Sequence, residues 1–152
     1  MKPMTRMSVI VCGLGVSLTA CGDASGPAQL LANLDKWQDR GPNRYTYEFQ
    51  RGCFCGGAAT QAVRISVNNG QVIAVVRVSD GQLVPVSDVN QFFRITIDSL
   101  FGILGEAMDG QAAELRITYD PFFGYPRQTF IDYRSNVADD ELGLTAQLLV
   151  TP

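Results

Sequence analysis

Strict alternation of apolar and polar side chains runs from Tyr45 to Gln50 and again from Val63 to Asn68, and the second run ends directly on Asn69-Gly70. A period of two puts Tyr45, Tyr47 and Phe49 on one side of a strand and Thr46, Glu48 and Gln50 on the other. Val63, Ile65 and Val67 oppose Arg64, Ser66 and Asn68 in the same way. Asn-Gly is a two-residue hairpin signal, because both turn positions tolerate positive φ. The chain is therefore committed to antiparallel strands with one dry face. The strand leaving the turn, Gln71 to Ser79, is apolar on both sides through Val72, Ile73, Val75 and Val76, which predicts a central or covered position.

Other periodicities place the elements around that hairpin. Leu30, Leu31, Leu34 and Trp37 mark one face of a helix over Ala28–Arg40, stopped by Gly41-Pro42. Gln82–Arg94 reads as a short edge strand followed by a linker. Thr96 is an N-cap for a second helix, and Asp98 in its first turn suits the helix dipole. Ile97, Leu100, Phe101, Leu104 and Met108 form its apolar stripe, and Gly110 ends it. Gly102 and Gly105 weaken that helix in isolation by about 1 kcal/mol each relative to alanine, and close packing against a sheet is the expected reason for them. Three strands follow, marked by Leu115, Ile117 and Tyr119, then by Phe130 to Arg134, then by Leu142, Leu144, Ala146, Leu148 and Val150. The order predicts an α+β fold. Two α-β-β-β halves form one antiparallel sheet, with two helices packed on one face.

Ahead of this domain, residues 28–152, the chain changes character. Lys2 and Arg6 precede an apolar stretch from Met7 to Ala20, and no acid occurs before Asp23. That stretch is shorter than the roughly 20 apolar residues of a membrane-spanning helix and fits a secretory signal peptide, residues 1–20. Its end, Leu18-Thr19-Ala20-Cys21, resembles the lipobox of bacterial lipoproteins. The resemblance implies cleavage before Cys21, diacylglycerol on its thiol and a further acyl chain on the new amine. Several chains make attachment stable where a single one is marginal, at about 0.8 kcal/mol for each buried CH₂. Residues 21–27 are then the acylated cysteine and a polar, flexible tether. Gly22 rather than aspartate follows Cys21, which implies outer-membrane delivery, on the periplasmic face, in a host with two membranes.

Removing residues 1–20 moves the formal charge from −3 to −5, because two cations leave with no acid. An acidic domain is a poor partner for nucleic acid, which is bound through a basic face. Histidine is absent from the chain, which excludes Ser-His-Asp and Cys-His catalysis, imidazole metal ligation and a histidine pH switch. Lys36 is the one lysine left after cleavage, and no glycine-rich phosphate loop accompanies it. No catalytic constellation, metal site or cofactor is expected.

Cys53-Phe54-Cys55 is the most unusual element of the mature domain. An exported chain meets oxidising conditions. Cysteines two apart in an extended strand lie at or just beyond the upper end of disulfide Cα spacing, so a bond needs a bend at Phe54, which Gly52, Gly56 and Gly57 permit. The small ring would reduce more readily than a long-loop disulfide. Three readings stand: a turn-shaping disulfide, a redox-active dithiol, and a metal site short of two ligands. The first is preferred on compartment and flanking glycines. Between two strands, Tyr119-Asp120-Pro121-Phe122-Phe123-Gly124-Tyr125-Pro126 is an aromatic-rich turn. Phe122, Phe123 and Tyr125 offer a partner-binding patch where they are exposed together, and otherwise cap the core. Asp132, Asp139, Asp140 and Glu141 match no calcium-loop spacing and read as a solvated turn.

Tyr45-x-Tyr47-x-x-x-Arg51-x-Cys53-Phe54-Cys55, Ile97-Asp98-Ser99-Leu100-Phe101, Tyr119-Asp120-Pro121 with Gly124-Tyr125-Pro126, Ile131-Asp132 and Asp139-Asp140-Glu141 together resemble an uncharacterised family of small bacterial envelope lipoproteins. Gly56 stands where that family is expected to have proline. The resemblance implies location and fold and supplies no catalytic residue. The functional expectation is a non-enzymatic binding or envelope-maintenance protein. The membrane holds it through the lipid anchor, and its sheet face or aromatic loop meets an envelope protein partner. The alternative is a thiol-disulfide protein acting through Cys53 and Cys55.

Overall fold

The computed structural model describes residues 25–149. The leader, Cys21 with most of its tether, and Val150 lie outside the described residues. In chain order the elements are helix α1 (Pro27–Arg40), strand β1 (Arg44–Gly52), a single turn α2 (Gly57–Thr60), β2 (Val63–Asn68) and β3 (Gln71–Arg77). Then come a short helical segment α3 (Val86–Asp88) running into a π-helical turn (Val89–Phe93), α4 (Ile97–Asp109), β4 (Glu114–Tyr119), β5 (Pro126–Asp132) and β6 (Glu141–Leu149).

The six strands form one antiparallel sheet in the order β3-β2-β1-β6-β5-β4. Each half is a meander, and the halves meet where β1 pairs with β6 from Thr46↔Leu149 to Gly52↔Gly143. The fold is α+β, as the order of periodicities predicts. Alternation sets the layers: Tyr45, Tyr47, Phe49, Val63, Ile65, Val67, Leu144, Ala146 and Ile131 are buried, while Thr46, Glu48, Gln50, Arg64, Ser66 and Thr145 take the other face. Leu30 and Trp37 of α1, with Ile97, Leu100, Phe101 and Leu104 of α4, join the same core. Burying each such large side chain contributes about 1.5–3 kcal/mol.

The first half is bonded to the second through the tyrosines of β1. Tyr47 donates its hydroxyl to the Ile95 carbonyl at 2.6 Å, and the Tyr45 hydroxyl accepts from the Ile97 amide at 3.1 Å. Trp37 packs edge-on to Tyr45 and donates Nε1–H to Asp98 at 3.2 Å. Burial pushes Tyr45 up to about 12 and Tyr47 well above the usual phenol value. Thr96 caps α4 as its sequence predicts, with Ser99 completing a reciprocal capping box.

Four expectations need correction. The third strand, β3, is an edge strand rather than a central one. The chain returns along part of that edge, with Arg77 N–H donating to the Gln82 carbonyl and Val84 N–H to the Val75 carbonyl, while Ile73 stays exposed. The Gln82–Arg94 stretch keeps a single bridge, Val76↔Leu83, and then turns helical instead of running on as a linker. The fifth strand begins at Pro126, not near Phe130, because pairing with β4 extends to Tyr119↔Pro126. Gly102 and Gly105 are not there for close packing: a Cβ at either would meet nothing within 4 Å.

Candidate functional site

Four residues that sequence spacing could not group lie in one row across the open face. Gly52 faces Gly143, Gly143 faces Phe130, and Phe130 faces Arg116. The next row is Gln50, Thr145, Gln128 and Thr118. Where the two glycines meet, no side chain rises from the sheet. The result is a groove of about 700 Å³ that Gly52 and Gly143 floor, with the amides and hydroxyls of the second row on one flank and Phe130 with Arg116 on the other. The Arg116 guanidinium stands 4.4 Å from the Phe130 ring centroid and pairs with Glu114 at 2.8 Å. Ser25 borders the groove at the β4 edge, where its Oγ accepts from the Ile117 amide at 3.3 Å.

The groove is chemically a binding surface: two amides, two hydroxyls, one cation and one aromatic ring offer both donors and acceptors beside an apolar wall. Added side chains would fit its floor. A Cβ at Gly143 would come no closer than 3.7 Å to other atoms, and one at Gly52 no closer than 3.9 Å. The sequence marks Gly52 only as a residue that permits the bend at Phe54 and does not mark Gly143, since what makes the groove is their mutual register across the sheet.

Cys53 and Cys55 are joined in a disulfide with their Cα atoms 5.2 Å apart. The chain bends through this turn directly after β1, and Phe54 at its tip is 82% exposed. Arg51, one residue before Gly52, points to the helix side instead. Its Nη2 reaches the Phe92 carbonyl at 3.5 Å, and burial lowers its pKa. No group with the makings of a metal site occurs among the described residues.

The aromatic turn does not present its three rings together. Tyr125 is buried, packs against Trp37, and its hydroxyl accepts from the Leu148 amide at 3.1 Å. Phe123 packs partly against the core. Phe122 alone is well exposed, with Arg40 donating to its carbonyl and lying over its ring. Asp120 organises the turn by accepting from the amides of Phe122 and Phe123. Asp132 accepts from the Arg134 amide, and Asp140 pairs with the Arg134 guanidinium at 3.0 Å, so these acids are used in shaping the β5–β6 connection.

The sequence model of one family, described as a family of unknown function (DUF6174), matches residues 29–151. The chain belongs to this family. The match takes in most of α1, both meanders and the groove apart from Ser25. No curated protein and no solved structure matches the chain.

Proposed function

We propose that the chain is a lipid-anchored protein of the bacterial envelope. In this reading Cys21 carries the acyl chains, and the domain binds an envelope protein partner in the groove on its open sheet face without catalysing a reaction. The basic and apolar leader ending in Leu18-Thr19-Ala20-Cys21 supports the anchor. The observation that carries the binding reading is the glycine-floored groove flanked by Gln50, Thr145, Gln128 and Thr118. In a host with two membranes the domain lies on the periplasmic face of the outer membrane.

Gly143→Val fills the groove at a position with room for a side chain and a residue suited to strands. A photo-crosslinking side chain at Gln128 in living cells should give a discrete protein adduct, and Gly143→Val should abolish it while leaving the unfolding midpoint in place. An adduct that survives the filled groove would sink this site. A second reading, thiol-disulfide exchange, is supported by the exposure of Cys55 on its turn. A reduction potential within the oxidoreductase range, roughly −120 to −270 mV, would favour it.

A further inference from the structure

The β1–β6 ladder stops before β6 does. β6 begins at Glu141, yet its first partner in β1 is Gly52, which stands opposite Gly143. Glu141 and Leu142 pair with β5 alone, through Asp132↔Glu141 and Ile131↔Leu142. Continued by two residues, the same register sets Cys53 opposite Leu142 and Phe54 opposite Glu141. The chain leaves that course at the Cys53–Cys55 disulfide. Two residues of strand advance about 6.7 Å, whereas these Cα atoms are 5.2 Å apart. The bonded turn is too contracted to extend the strand, and it leaves Phe54 82% exposed.

Alternation says where Phe54 belongs once the turn is released. It follows Gly52 by two residues, so a continued β1 carries its ring on the open face with Gly52 and Gln50. There it stands opposite Glu141 and diagonal to Gly143, a separation that an aromatic side chain spans. The floor has room for it, since a Cβ on Gly143 or Gly52 meets no other atom closer than 3.7 Å. A ring laid over a strand glycine shields the backbone that glycine leaves bare, and it removes apolar surface from water. Gly56 and Gly57 stand in open space, so the joint between β1 and α2 gives way while Ala59 stays buried.

We propose that the disulfide controls the groove. Bonded, it holds Phe54 off the sheet and the groove is open. Reduced, it lets β1 run on to Phe54, whose ring covers Gly143 and fills the floor. The inference rests on the groove reading above and adds its regulation. The reductant is a dithiol. One of its thiolates attacks the Sγ of Cys55, the more exposed of the pair, and the Sγ–Sγ bond breaks, with Cys53 leaving and taking up a proton. The second thiol of the donor then displaces Cys55 from the mixed disulfide, and Cys55 is protonated in turn. Two electrons and two protons pass to the chain, and the donor ends as a disulfide.

The test has a structural and a functional arm. The intact protein in detergent micelles is followed by NMR before and after treatment with dithiothreitol. Reduction should bring nuclear Overhauser contacts from the Phe54 ring to the Gly143 α-protons and slow amide exchange at residues 53–54. Reduced protein without those contacts overturns the proposal. In living cells, the crosslinking side chain at Gln128 reads the groove. Cys53→Ser with Cys55→Ser, which cannot form the bond, should lose the adduct, and adding Phe54→Ser to that pair should restore it. An adduct undiminished in the double variant overturns the proposal and leaves the groove reading intact. A loss that Phe54→Ser does not reverse overturns it too, since the ring is then not what fills the groove. Absence of any adduct with the native turn defeats the groove reading and its regulation together.

Discussion

Two turns of this domain carry aromatic rings at the end of a strand, and they treat them in opposite ways. The turn from Asp120 to Tyr125 sends Tyr125 into the core against Trp37 and leaves one ring out. The Cys53–Cys55 turn sends its single ring outward. The first lies against α1, close enough that a Cβ on Gly124 would stand 2.8 Å from the Lys36 Cβ. The second follows the end of β1 and leaves Phe54 exposed. Composition marks both as aromatic turns. What separates them is whether another element covers the site.

Tyr125→Ala should give the largest effect, a loss of about 3–5 kcal/mol as a buried ring is deleted, measured by denaturant unfolding. A loss near zero would show that the turn's aromatics are not part of the core. Gly124→Ala should follow at about 2–4 kcal/mol, since its φ of 81° and its approach to α1 combine left-handed strain with overpacking. Joint Cys53→Ser and Cys55→Ser should lower stability by no more than about 2 kcal/mol, because so short a loop constrains the unfolded chain little. A larger loss would mean that this turn, too, is built into the core. Phe54→Ser should be smallest, within about 0.5 kcal/mol in the absence of lipid. A clear destabilisation there would erase the contrast between the turns.

Much of the fold was legible because period-two alternation, Asn69-Gly70 and the Thr96 cap are local signals of local structure. Both helices and all six strands lie close to where those signals place them. The groove was not legible. It depends on Gly52 meeting Gly143, a register set by the hydrophobic faces of β1 and β6 and not by anything beside either glycine. The burial of Tyr125 agrees with the reading of this turn as a cap on the core, while its partner Trp37 lies too far away in the chain for the sequence to name. β3 misled because apolar residues on both sides fit an inner strand, whereas here it is an edge strand with Ile73 exposed and only its last residues paired by the returning chain.

The pairing of β1 with β6 also has a consequence for how the domain is made. The strand that completes the middle of the sheet is the last described element in the chain, so synthesis delivers the keystone at the finish. Until Glu141–Leu149 emerges, β1 has an unpaired inner edge, and Phe49 and Tyr47 lack their neighbours Ala146 and Leu148. Synthesis therefore leaves the β1–β3 meander and the β4–β5 pair unjoined, and the sheet closes only once the nine residues of β6 are free.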